Sequence, residues 1–323
     1  MGEFELIDRY FRRPAADPGV VLGVGDDAAL LAPTPGHELV LAVDMMVEGR
    51  HFLPGADAEG LGHKVLAVNL SDMAAMGARP RWALLAGALP DSDEAWLAAF
   101  SRGLFALADA HGVALVGGDT TRGPRNLCVT IAGEVPAGTA IRRSGALPGD
   151  DVWVSGSIGD AMLALAALQG RTAMSPAALA PLRARLERPQ PRVALGIALR
   201  GVAGAMLDVS DGLTGDLGHI LEASGVGASV DLARIPCASE LRMRLATGER
   251  GLALSCLLAG GDDYELCFAA RAAMRERVEA AGSAAGVPVT RIGSIAPREA
   301  GLTVLDEQGR ALAVLPRAFD HFA

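Results

Sequence analysis

The chain has 323 residues, half of them hydrophobic, and a formal net charge of -9 at pH 7. The length exceeds one average domain and the composition supports a sizeable core, while the acidic balance argues against the basic patches that a nucleic-acid or anionic-membrane surface requires. Lys64 is the only lysine and sits in "GHKVLAV", so neither a Walker A loop nor the strand lysine of a protein kinase can be built.

In chain order, strand patterns fall at Leu39–Val43, Ala83–Leu89, Val113–Val116 and Leu127–Glu134, with helical patterns over Leu61–Met76 and Asp93–His111 between them. This describes a mixed α and β first half. Gly145, Pro148 and Gly149 then punctuate "RRSGALPGDD" as a linker would, which predicts a boundary near Gly149 and two domains, 1–149 and 150–323. The second half begins with the strand "VWVSG". It continues with helices over Gly159–Gln169, Pro176–Glu187 and Pro191–Arg200, a strand at Ala205–Val209, and a helix from Leu213. Prolines 176, 189 and 191 fit helix starts and breaks. Ser71-Asp72 ahead of Gly117-Gly118-Asp119 is echoed by Ser210-Asp211 ahead of Gly260-Gly261-Asp262, a hint of two related halves.

The four cysteines, Cys128, Cys237, Cys256 and Cys267, form no CxxC pair and read as reduced core thiols. The N-terminus lacks a charged region followed by an apolar one, and charges or glycines break every apolar run short of the roughly 18 residues that span a bilayer. A cytoplasmic protein is expected.

Six segments share one design: "GVGDDAALL", "LAVDMMVEGRHF", "NLSDMAAMG", "VGGDTTRG", "LDVSDGLTGDL" and "AGGDDYEL". In each, a strand or apolar run ends in aspartate beside small residues, so that carboxylates from different segments can converge. Any one of them reads equally as a turn or helix cap, and Asp211 ahead of "GLTGDLGHI" looks like an ordinary N-cap. Six together require cations to offset their repulsion. Magnesium is the expected ion, because it binds through a few carboxylates and takes further ligands from substrate phosphates. Zinc is disfavoured, since the six histidines are scattered and no HExxH occurs. Aspartate-held magnesium, glycine-rich turns and an arginine such as Arg143 describe a phosphoryl-transfer site, where positioning supplies most of the rate and no dedicated nucleophile is needed. His51, after the strand aspartate Asp44, sits where a site mouth would be, although a lone histidine is more often structural.

Together, "VGVGDDAALL", "VDMMVEGRHFLP", "KVLAVNLSDMAAMGARP", "VGGDTTRGP", "RRSGALPGD", "LDVSDGLTGDLGHI" and "GGDDYEL", in this order and ending in "FDHF", closely resemble the bacterial thiamine-monophosphate kinases. That family lies within the aminoimidazole ribonucleotide synthetase-like superfamily of ATP-using enzymes. The resemblance runs from about Glu3 to Phe322. It implies an α+β fold of two mixed α/β domains, the N-terminal one pairing in a homodimer and the C-terminal one closing over ATP. The implied reaction transfers the γ-phosphoryl of ATP onto thiamine monophosphate with the help of several magnesium ions, giving thiamine diphosphate.

Position by position, the resemblance implies metal ligation by Asp27, Asp44, Asp72, Asp119, Asp208 and Asp211. It implies ATP contacts at Gly118, Asp119, Arg143 and Ser210, and thiamine-phosphate contacts at His51, Asp262 and Phe319. This sequence departs from the family at three places. Ala42 and Val43 replace hydroxyl residues, leaving only a backbone carbonyl, assigned to Val43, as a metal donor. Asp262 stands where glutamate is common, and Phe319 replaces a frequent tyrosine, keeping a stacking face without the hydroxyl. Within the superfamily a selenophosphate synthetase would need a reactive cysteine near its N-terminus, which is missing here, and the motif order disfavours the ligase that makes aminoimidazole ribonucleotide. A binding protein without turnover is the remaining alternative, and tight ATP binding with no ADP formation would identify it.

Overall fold

The structure is a computed structural model that describes residues 2–14 and 16–317. The chain divides into two compact units, Met1–Met73 with Ala78–Gly138, and Ala74–Gly77 with Thr139–Ala323.

The first unit opens with helix α1 (Glu3–Tyr10) and two short strands, β1 (Val20–Leu22) and β2 (Leu30–Leu31), which pair antiparallel around the Gly23–Ala29 turn. There follow β3 (His37–Val47), α2 (Ala58–Ala75), β4 (Arg79–Leu89), α3 (Glu94–His111), β5 (Ala114–Arg122) and β6 (Asn126–Pro136). The last four strands form one sheet in the order β3-β6-β4-β5, antiparallel except for β4 with β5. Asp93 caps α3 by accepting the N–H groups of Ala95 and Trp96, and Gly112 ends it in the left-handed conformation. Period-two alternation divides the sheet faces. Leu127, Val129 and Ile131 of β6 are buried on one face, while Cys128, Thr130 and Ala132 look to the other and remain half-buried. On β3, Leu39, Leu41, Val43 and Met45 are 52%, 68%, 60% and 54% exposed, so an edge strand carries an open apolar stripe.

In the second unit β7 (Asp151–Ser155), α4 (Asp160–Leu168), α5 (Pro176–Glu187), α6 (Val193–Ala198), β8 (Ala205–Val209), α7 (Leu213–Ser224) and β9 (Gly227–Asp231) come first. Helices α8 (Ser239–Leu245) and α9 (Arg250–Ala259), strand β10 (Glu265–Ala270), helix α10 (Arg275–Ala285) and strands β11 (Val289–Ala296) and β12 (Leu302–Leu305) complete it. The six-stranded sheet runs β12-β9-β11-β7-β10-β8, and β12 with β9 is its one parallel pair. Strands β7, β8 and β10 are buried at every position, β8 included although it ends the sheet order. Val154, Leu207 and Cys267 pack there with Leu163 of α4, Leu217 of α7 and Leu257 of α9. Residues 139–149 belong to this unit. Arg142 O accepts the Met206 N–H, so the segment runs beside β8, and Ser224 Oγ accepts the N–H groups of Gly145 and Ala146.

Two readings from the sequence need correction. The strand expected to stop at Val116 continues through Gly117, Gly118 and Asp119 to Arg122, because parallel pairing with β4 holds the glycines extended. Asp119 therefore lies inside a strand, as Asp44 does in β3, and Asp72 lies inside α2, so these three do not mark element ends. Asp211 is not the N-cap of α7 either. Gly212 occupies that position without a side-chain cap, and the capping task passes to Asp216 in the first turn.

Candidate active site

In the first unit a groove of about 1100 Å³ runs over the open face of the sheet, bordered by α1 and the Gly23–Ala29 turn. Asp27, Gly118 and Asp119 line it together. The turn is braced by residues that also line the groove: the Arg12 guanidinium donates to Val24 O at 3.2 Å and pairs with Asp8 at 2.8 Å. Gly25, at φ +125°, leaves room for Arg12, whose Nη2 would lie 1.9 Å from a Cβ at that position. Both aspartates of the pair are exposed, and they differ in what they hold, since Asp26 Oδ1 accepts the Asp27 N–H at 2.9 Å. Gly118 has φ +154°, and an added Cβ would lie 1.8 Å from Leu85 O, so only glycine lets β5 approach β4 this closely.

Asp44, His51, Val43 and Asp72 lie outside that groove's lining. Asp44 is half-buried, and burial together with its negative charge pushes the Cys128 thiol up. His51 Nδ1 accepts the Val47 N–H at 3.0 Å, so the neutral ring carries its proton on Nε2. Asp72 is half-buried on α2.

In the second unit two acidic turns meet at one end of the sheet. Beyond Asp208 and Val209 of β8 the chain turns through Ser210, Asp211 and Gly212. A single oxygen, Asp216 Oδ2, accepts all three of their N–H groups at 3.1, 3.0 and 3.0 Å. Burial and the neighbouring charges of Asp211 and Asp208 push the Asp216 carboxyl up to about 7, against the pull of the amides it accepts. The second turn precedes β10: Asp262 N–H donates to Ser210 O at 2.9 Å and Tyr264 N–H to Val209 O at 2.8 Å. Asp262 and Tyr264 have φ +68° and +51°, and the Tyr264 hydroxyl donates to Asp262 Oδ1 at 3.0 Å. Left-handed backbone at non-glycine residues costs of order 1–3 kcal/mol each and persists where surrounding contacts enforce it. Those contacts are at hand. Asp263 Oδ2 accepts the Gly159 N–H at 2.7 Å, and Glu265 accepts Ser155 Oγ and a two-pronged contact from Arg192.

Asp208, Ser210, Asp211 and Asp262 are thus brought together, whereas Arg143 is exposed on the segment beside β8, its carbonyl accepting Ser224 Oγ at 3.4 Å. Phe319 lies outside the described residues. Asp216, Asp263, Glu265 and Arg192 were not singled out in the sequence. The signal for Asp216 was its place in the first turn of a helix that begins with glycine.

The donor chemistry fits magnesium. The expected ligands are carboxylate and carbonyl oxygens, and the Asp208 and Asp211 charges are close enough to disturb a third carboxyl, a field that a cation would relieve. Among the described residues no three His, Cys, Asp or Glu side chains gather into a ready-made metal cage. Magnesium bound through one or two carboxylates and completed by phosphate oxygens does not require one.

Comparison with known proteins gives a consistent result. Residues 25–135 match the AIR synthase related protein N-terminal domain, and residues 148–304 match the corresponding C-terminal domain. Over its whole length the chain is 46% identical to the thiamine-monophosphate kinase of Escherichia coli K12, of which it covers 98%. The crystal structure of the thiamine-monophosphate kinase from Stenotrophomonas maltophilia K279a superposes with a TM-score of 0.86 at 48% identity, covering 97% of this chain and 98% of that one. A structure of AaThiL complexed with AMPPCP and TMP gives 0.77 at 30% identity, covering 90% and 89%. Full-length identity of this order, with both domain types matched in sequence, is membership: the chain belongs to the thiamine-monophosphate kinase family of AIR synthase related proteins.

Proposed function

We propose that this chain catalyses the ATP-dependent phosphorylation of thiamine monophosphate to thiamine diphosphate by direct transfer of the γ-phosphoryl group. The observation that carries the reading is the bonded pair of acidic turns, Ser210–Gly212 and Asp262–Tyr264, with Asp208 beside them at the end of β8. It gives four of the expected side chains a common location in a chain of this family.

The residues proposed to hold magnesium are Asp27, Asp44, Asp72, Asp119, Asp208 and Asp211, with the carbonyl of Val43. When bound, the ions neutralise the phosphate oxygens and so lower the charge repulsion between donor and acceptor. Gly118, Asp119, Arg143 and Ser210 contact ATP. Gly118 does so by letting the backbone come close, and Arg143 by offering a planar pair of donors to phosphate. His51, Asp262 and Phe319 contact thiamine monophosphate, and the Nε2–H of His51 is the donor on that ring. The acceptor is a phosphate oxygen already carrying negative charge, so no side chain has to remove a proton from it. The remaining task of the protein is alignment.

The apolar stripe Leu39, Leu41, Val43 and Met45, continued on the same face by exposed Leu84 of β4, supports a homodimer formed through this sheet. Among the described residues no helix is long and apolar enough to cross a membrane. The test is incubation with magnesium-ATP and thiamine monophosphate, following thiamine diphosphate by fluorescence after oxidation. No product at any magnesium concentration refutes the reading.

A further inference from the structure

The turn at 262–264 has an unusual construction. Two non-glycine residues in left-handed conformation flank one whose side chain points away into the protein. Asp262 and Tyr264 are tied to each other by the tyrosine hydroxyl, and by their N–H groups to Ser210 just beyond β8 and to Val209 at its end. Between them Asp263 sends its carboxylate to the N–H of Gly159, which caps α4 without any side chain of its own. An N-terminal N–H group of a helix is a natural seat for a carboxylate, through its unsatisfied donor and the helix dipole. The seat has other neighbours. Asp160, the first residue of α4, bonds Ser157 Oγ and the Ala238 N–H, and the Arg185 guanidinium lies near both Asp160 and Glu265. Burial, then the Asp160 and Glu265 charges, push the Asp263 carboxyl well above its usual range, against the Gly159 N–H and Arg185.

We propose that Asp263 is a positioning residue for substrate: its contact with the start of α4 fixes the left-handed turn, and the turn in that form presents Asp262 to thiamine monophosphate. This rests on the reading of Asp262 as a thiamine-phosphate contact. Asp263 itself faces α4, so it acts through its neighbour. An asparagine at 263 keeps an oxygen that reaches the Gly159 N–H, whereas alanine leaves that N–H without its acceptor and the turn without its tie to α4.

The test is steady-state kinetics of the full-length protein as wild type, Asp263→Ala, Asp263→Asn, Asp262→Ala and the Asp262→Ala/Asp263→Ala double variant, with hydrogen exchange of segment 260–266 measured without substrate. Asp263→Ala is expected to raise the KM for thiamine monophosphate at least tenfold and leave the KM for ATP within twofold, while Asp263→Asn stays within threefold on both. In the Asp262→Ala background the same change is expected to add less than twofold, because the residue it acts through is already gone. Exchange in 260–266 is expected to rise at least tenfold in Asp263→Ala. A folded Asp263→Ala with wild-type KM values, an undiminished effect in the double variant, or unchanged exchange overturns the proposal. If Asp263→Ala does not fold, Asp263→Asn decides, and a tenfold rise in its thiamine-monophosphate KM overturns it. A wild-type protein that makes no thiamine diphosphate refutes the functional reading, while exchange still reports whether Asp263 anchors the turn.

Discussion

Replacing Arg192 by methionine tests the anchoring of the second acidic turn most directly. Glu265 is 1% exposed, and its carboxylate is held by Arg192 Nε and Nη2, by Ser155 Oγ, and more loosely by Arg185 Nη1 at 3.4 Å. Breaking a buried ion pair by removing one partner costs about 3–5 kcal/mol, because a buried charge is left uncompensated. Arg185 is already within reach and can draw closer, which places the expected loss near the lower end, about 3 kcal/mol. In a unit of this size each kcal/mol shifts the unfolding midpoint by about 2–4 °C, so the variant should melt about 6–12 °C lower at neutral pH. Calorimetry at pH 7.5 measures the effect. A midpoint shift below 2 °C would refute the argument. A Glu265→Gln/Arg192→Met double variant should recover part of the loss, since both charges are then gone.

Two further outcomes are expected. Asp72→Ala should abolish phosphoryl transfer while leaving the unfolding midpoint within a few degrees, and near wild-type turnover would remove Asp72 from the metal set. In the first unit, burial pushes the Asp17 and Glu134 carboxyls up, but the Arg81 guanidinium, with the Gly19 and Thr34 N–H groups, pulls both below their usual range. The stability they contribute is fully present above the unfolded values of 3.8 and 4.5 and is lost as the pH falls below them. Melting of wild type against Arg81→Met from pH 6 to pH 3 should show a steep acid limb in the former that is flattened in the latter.

The elements that periodicity governs were legible in the sequence. Pro176–Glu187 and Ala205–Val209 fall where expected, because a proline start in one case and an apolar run interrupted only by Asp208 in the other leave few alternatives. Strand β5 was cut short because glycine ordinarily weakens a strand. The reason for glycine here is the carbonyl of Leu85, a tertiary neighbour that no local pattern reveals. Asp211 was read as a cap for a related reason. Capping is a local rule, and Asp216 satisfies it from inside the helix by reaching backward, which spacing alone does not distinguish from an ordinary first-turn acid. The design of aspartates in small-residue segments was visible throughout. The bonding of the 210–212 and 262–264 turns to each other depends on β8 and β10 being neighbours, and that is a property of the sheet order.

The inward gathering of the Ser210, Asp211 and Gly212 amides onto one carboxylate oxygen reverses a familiar arrangement. In glycine-rich phosphate loops the backbone donors point outward and grip the anion themselves. Here those donors are spent within the fold, and the outer rim of the turn is left electronegative. On the proposed function, that rim would repel a bare polyphosphate and accept one carrying its own counter-charge, so a preference for metal-loaded over free nucleotide would follow from the direction of backbone amides.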